Sequence, residues 1–100
     1  MMMVLDFAGA QTLRQAEETL EKLRGALAQA SEVLLDCSRL DEVDLSFIQL
    51  VLAARRSADR DGKILGLIAP AKGALLKALD TAGILPSGPH RFWFEGRAQT

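Results

Sequence analysis

Apolar residues gather in three short runs, Met2 to Phe7, Val33 to Cys37 and Lys63 to Ala69 (KILGLIA); between the runs they recur every three or four positions. Short continuous runs suit buried strands, and the wider spacing suits helices packed by one face. The first run predicts a strand over Val4–Phe7, which Gly9 breaks. Thr12 and Gln15 then stand at capping-box spacing, and Leu13, Ala16, Leu20, Leu23 and Leu27 form the apolar stripe of a first helix. Its other face carries Glu17, Glu18, Glu21, Lys22 and Arg24, with Glu18 and Lys22 one turn apart. Gly25 weakens this helix by about 1 kcal/mol without ending it.

The second run predicts a central strand over Val33–Asp36, and Ser38 to Val43 reads as the loop after it. A second helix follows from Leu45 to Arg60, stopped at Asp61-Gly62. The third run predicts a strand over Ile64–Ile68. Pro70 then takes the first position of a third helix, where its missing donor does no harm. Leu75, Leu76, Ala78, Leu79 and Ala82 give that helix its apolar face, and Gly83 caps it. Strand and helix therefore alternate, which predicts an α/β fold: a small, mainly parallel sheet with helices packed against it. A central strand covered on both faces buries both Leu34 and Leu35. In the tail, Phe92, Trp93 and Phe94 are consecutive; if extended, the two phenylalanines share a face and Trp93 takes the other. They either close an edge of the core or anchor a partner.

One hundred residues make one domain, spanning 1–100. With 49% apolar and 25% charged residues the composition is that of an ordinary globular protein. A net charge of −1, with Lys and Arg spread along the chain, leaves no basic stripe, so no nucleic-acid partner is expected. No apolar run approaches the ~20 residues of a membrane span, and MMMVLDF reaches Asp6 too early for a secretory leader. A cytoplasmic protein without membrane insertion is expected.

Catalytic and metal chemistry find little support. No GxSxG, P-loop or GxGxxG motif occurs, Cys37 and His90 are each alone, and no cofactor or metal site is expected. Cys37, at the end of an apolar strand, reads as a small hydrophobe rather than a reactive thiol. Asp36 ends the central strand as a receiver-domain phospho-acceptor would, yet Asp6 has no acidic neighbour to complete a magnesium site.

The start of the second helix is the better candidate. Three readings compete for Ser46: a capping box with Gln49, a bystander to capping by Asp44, and a phosphorylation site favoured by unpaired helix N–H groups. Phe47, Val51, Ala54 and Ala58 point one way at ~100° per residue and suit the core. Leu45, Gln49, Leu52 and Arg56 point roughly opposite, as a protein-docking patch would.

In order and spacing, the strand ending LDCS, the loop RLDEVD, the helix LSFIQLVLAARRSADRDGK, the strand ILGLIAP and the helix AKGALLKALDTAGI resemble the STAS family of bacterial regulators; FAGAQTLRQAEETLEKL resembles its first helix. The resemblance implies a STAS-like fold and a non-enzymatic binding module. Its partner would be an anti-sigma factor or histidine-kinase-like ATPase, in transcription regulation or chemotaxis. The alternative it implies is a constitutive STAS subunit beside an ABC ATPase in lipid transport. Homo-oligomers are compatible with either. Docking would use Asp44, Leu45, Ser46, Gln49, Leu52 and Arg56. Switched members read Asp, then Ser or Thr, then a small residue and Gly at the helix start; here Leu45 takes the acceptor position and Phe47 the glycine, which leaves Ser46 as a substitute one place along. One strand precedes the first helix where many relatives have two.

Overall fold

The computed structural model describes residues 1–86 and 88–96. In chain order it contains β1 (Met2–Gln11), a 3-10 turn (Leu13–Gln15), α1 (Ala16–Gln29), β2 (Glu32–Val43), α2 (Leu45–Arg60), β3 (Ile64–Leu67), α3 (Gly73–Thr81) and a 3-10 helix (Gly88–Phe94). The strands form one parallel sheet in the order β1-β2-β3, as the alternation of strand and helix requires. The architecture is the expected α/β fold.

Two strands run further than the apolar runs that mark them. β1 continues through Gly9 to Gln11, and the expected loop from Ser38 to Val43 is the second half of β2, paired to β1. Register shifts between Asp6 and Ala8 and between Gly9 and Ala10 absorb the extra residues of β2. Gly9 has a φ of 71°, so it supplies one of these irregularities instead of ending the strand. Polar Arg39, Asp41 and Glu42 hide the extension in sequence, with only Leu40 buried among them.

One face of the sheet carries the core. Phe7, Val33, Leu35, Leu65 and Leu67 meet Leu23 and Ala26 of α1, Phe47, Ile48, Val51 and Ala58 of α2, and Leu75 and Leu79 of α3. Phe7 and Phe47 pack edge to face with centroids 5.4 Å apart. Leu34 and Leu35 are 3% and 1% exposed, so both faces of β2 are closed at this level. The closure is local: Met2, Val4 and Ile64, on the strand face away from the helices, stay exposed. Leu34 instead sits beside Phe92, Gly66 and Leu67 in a shallow pocket under the tail.

That tail is not extended. Its 3-10 helix turns Phe92 and Trp93 both inward, Trp93 fully buried with its ring 4.6 Å from that of Phe92. The Trp93 carbonyl accepts the Ala71 N–H at 2.8 Å, and the Arg55 guanidinium lies 4.3 Å over the Phe92 ring. The aromatics close the core edge.

Helix limits differ from expectation at two places. The Thr12–Gln15 capping box is formed, but it closes the 3-10 turn ahead of α1, and this leaves Leu13 out of phase and exposed. α3 starts at Gly73 and not at Pro70, because a φ of 58° at Gly73 is left-handed and no right-handed turn can run back through it. The shorter helix docks only a narrow ridge, and Leu76, expected in the core, is 41% exposed. Truncation should expose this contrast: Leu75→Ala is expected to lose about 2–5 kcal/mol in urea unfolding followed by circular dichroism, and Leu76→Ala less than about 1 kcal/mol. Equal losses would contradict the observed docking of α3.

Candidate protein-docking site

The β1–β2 register places Gln11 beside Val43, so the chain leaves both strands at the same point. Asp44, the next residue of β2's path, joins them there. Its N–H donates to the Gln11 carbonyl at 3.4 Å. Its carboxylate accepts from the Leu13 N–H at 3.0 Å through Oδ2 and from the Ser46 N–H at 3.0 Å through Oδ1. The Ser46 hydroxyl also donates to Oδ1, at 2.5 Å. One side chain therefore caps α2 and holds the turn before α1. The Ser46 hydroxyl, the Leu13 amide and the Ser46 and Phe47 amides hold the Asp44 carboxyl below the usual carboxylate range, against a smaller opposing effect of burial. On the other side of the joint, the buried Gln11 Oε1 accepts from the Thr19 hydroxyl of α1.

Of the three readings for Ser46, capping by Asp44 is the geometry present. Gln49 is exposed and makes no bond back to Ser46, so the Ser46–Gln49 box is not formed. Ser46 is half-buried with its hydroxyl engaged. Leu45, Gln49, Leu52 and Arg56 do lie along one side of α2. Leu45 is 51% exposed, Gln49 and Arg56 are exposed, and Leu52 is half-buried against the core. The opposite side follows the expected pattern: Phe47, Val51 and Ala58 are fully buried, Ala54 is half-buried against the core, and Ile48 joins them as a further core residue.

Beside Leu45 lies a groove of about 500 Å³ with Asp41 to Leu45 on one wall and α3 on the other. Sequence reasoning missed it. Its only trace is the four-residue spacing of Ala74, Ala78 and Ala82, which marks a small-residue face next to the Leu75–Leu79 ridge.

The remaining candidates are structural. Asp36 Oδ1 accepts from the Ser38 hydroxyl at 2.7 Å and the Ser38 N–H at 3.1 Å, bonds that lower its pKa, while Asp6 pairs with Arg39. Among the described residues no three His, Cys, Asp or Glu side chains are grouped to hold a metal ion. No helix among the described residues is long and apolar enough to cross a membrane. Burial first, and the neighbouring Asp36 second, push the Cys37 thiol up to about 12.

A three-stranded parallel sheet with three helices packed against it defines a small domain of the α/β class. The chain belongs to the STAS family: the family described as "Mlab, STAS domain" matches residues 2–85. A solved structure titled "Crystal Structure Analysis of Mglu" shares the fold, with a TM-score of 0.60 and 23% identity over 70% of this chain. The match spans 18% of that longer chain, and at this identity it speaks for the fold alone. No curated protein matches significantly.

Two measurements check the site. A lowered Asp44 pKa means that the stability it contributes is fully present above the ordinary 3.8 and is lost as pH falls through the lower folded value. Asp44→Asn keeps a good cap but cannot titrate, so the wild type's advantage over it should hold at neutral pH and shrink in acid; an advantage independent of pH would contradict the assignment. For Cys37, alkylation of the folded protein near neutral pH should run roughly a hundred-fold or more slower than in urea. Comparable rates would show an accessible thiolate.

Proposed function

We propose that this STAS domain is a non-enzymatic, protein-binding regulatory module of bacterial signalling, docking through the α2 start in the manner of an anti-sigma factor antagonist or a chemosensory-associated STAS protein. The observation that carries this reading is Leu45: an apolar side chain, half in water, at a helix start held rigid by Asp44 and continued by exposed Gln49 and Arg56. Leu45 stands where switched members of the family carry their hydroxyl, and the nearest hydroxyl, Ser46, is spent on Asp44. Docking is therefore constitutive. The partner is an anti-sigma factor or a histidine-kinase-like ATPase. The same missing hydroxyl favours a second reading, a constitutive subunit bound to an ABC ATPase of lipid transport.

Capture of partners from the native cell tests both. Leu45→Asp and Gln49→Lys should each weaken capture tenfold or more, about 1.4 kcal/mol, with folding intact. Leu52→Asp is a poorer probe, because Leu52 packs against the core. The class of ATPase retained decides between the two readings. Normal capture by both variants would move the docking surface elsewhere, and intact-mass detection of stoichiometric phosphate on Ser46 would replace constitutive docking with a switch.

A further inference from the structure

Resting on that reading, we propose that the groove between the β2–α2 corner and α3 seats a helix of the partner protein, one with a ridge of bulky apolar side chains and a basic flank. The groove is a concavity of about 500 Å³ beside Leu45, within the size range of ligand sites. Its α3 wall carries Ala74, Ala78 and Ala82, small side chains one above the other that let a second helix axis approach closely. From Ala74 to Ala82 the wall runs ~12 Å at ~1.5 Å per residue, and apolar anchors at i, i+4 and i+7 of an opposing helix span ~10.5 Å.

Charge sets the flanks. Asp41 and Glu42 line the β2 wall, exposed, their side chains without an ion pair or hydrogen bond among the described residues. Lys77, on the α3 wall, is also exposed, its ammonium group without a partner among the described residues. The occupant therefore turns Lys or Arg toward β2 and an acidic residue toward Lys77. α1 of a second copy is a poor fit, because Glu17, Glu18 and Glu21 outnumber Lys22 and Arg24 on its outer face and would meet Asp41 and Glu42 with like charge.

The test places the photo-crosslinker p-benzoylphenylalanine at Thr81, exposed in the groove, and separately at Gln49, which lies outside it, with irradiation in the native cell and sequencing of the cross-linked peptides. The Thr81 probe is expected to join a helical partner segment with apolar residues at i, i+4 and i+7 and a basic flank. In parallel, the charge reversal Asp41→Lys with Glu42→Lys should weaken partner capture tenfold or more while thermal unfolding stays unchanged. A Thr81 cross-link to an acidic or extended segment, or to a second copy, overturns the proposal. So does a silent Thr81 probe with unaltered capture by the reversal; if the Gln49 probe still cross-links, docking at α2 survives that result. Silence at both positions removes both readings.

Discussion

The parallel ladder between β1 and β2 is the constraint on which the rest of this structure depends. Ten residues of β1 run beside twelve of β2, and the two register shifts let strands of unequal length end together at Gln11 and Val43. Parallel strands that end together deliver their following segments to one place. That place is Asp44. Because its amide bonds one strand end and its carboxylate caps two helical turns, the start of α2 is fixed to the sheet and not merely leaned against it. A slip of one residue in this ladder would turn Leu35 away from the core and separate Asp44 from Leu13 together.

Packing around that ladder is one-sided, and the tail compensates. With the helices on a single face, Leu34 would stand open to water; the 3-10 helix brings Phe92 beside it and buries Trp93 entirely. The plug has a cost. The buried Arg55 Nε, His90 Nδ1 and Trp93 Nε1 all lack a hydrogen-bond partner among the described residues, at ~1–3 kcal/mol for each such group. Burying a large aromatic contributes several kcal/mol and offsets part of that loss. The seam between α2 and the tail is thus held by shape and apolar contact, and by a cation over a ring, with few directional bonds.

What the sequence made legible follows from where burial is continuous. The run at Val33 and the stripe of α2 bury nearly every apolar residue they contain, and the run at Ile64 buries Leu65 and Leu67, so the apolar pattern locates all three and the family resemblance agrees. The second half of β2 failed that test because only Leu40 is buried there, and its pairing rests on backbone bonds that leave no hydrophobic pattern. The sequence overextends α3 because Pro70 is a good first-turn residue, while the left-handed Gly73 that excludes it is visible only as backbone geometry. At the site, the outward side of α2 and the competing roles of Asp44 and Ser46 could be stated in advance. The choice between them depended on Leu13 arriving from another element, 31 residues away in sequence.

Leucine at the first turn of α2 also changes what the helix start can attract. An unoccupied helix N-terminus favours anions, but here Asp44 already holds the amides, and Asp41 and Glu42 stand nearby. A phosphate on Ser46 would have to displace the hydroxyl's bond to Asp44 and sit against that carboxylate, where like charge opposes it. Apolar contact meets no such opposition. Fully burying a leucine side chain contributes ~1.5–3 kcal/mol. Because Leu45 is about half exposed, a partner that covered it would gain ~1 kcal/mol before any polar contact is counted. Such a gain would depend little on salt or phosphorylation state, in keeping with the constitutive docking proposed above.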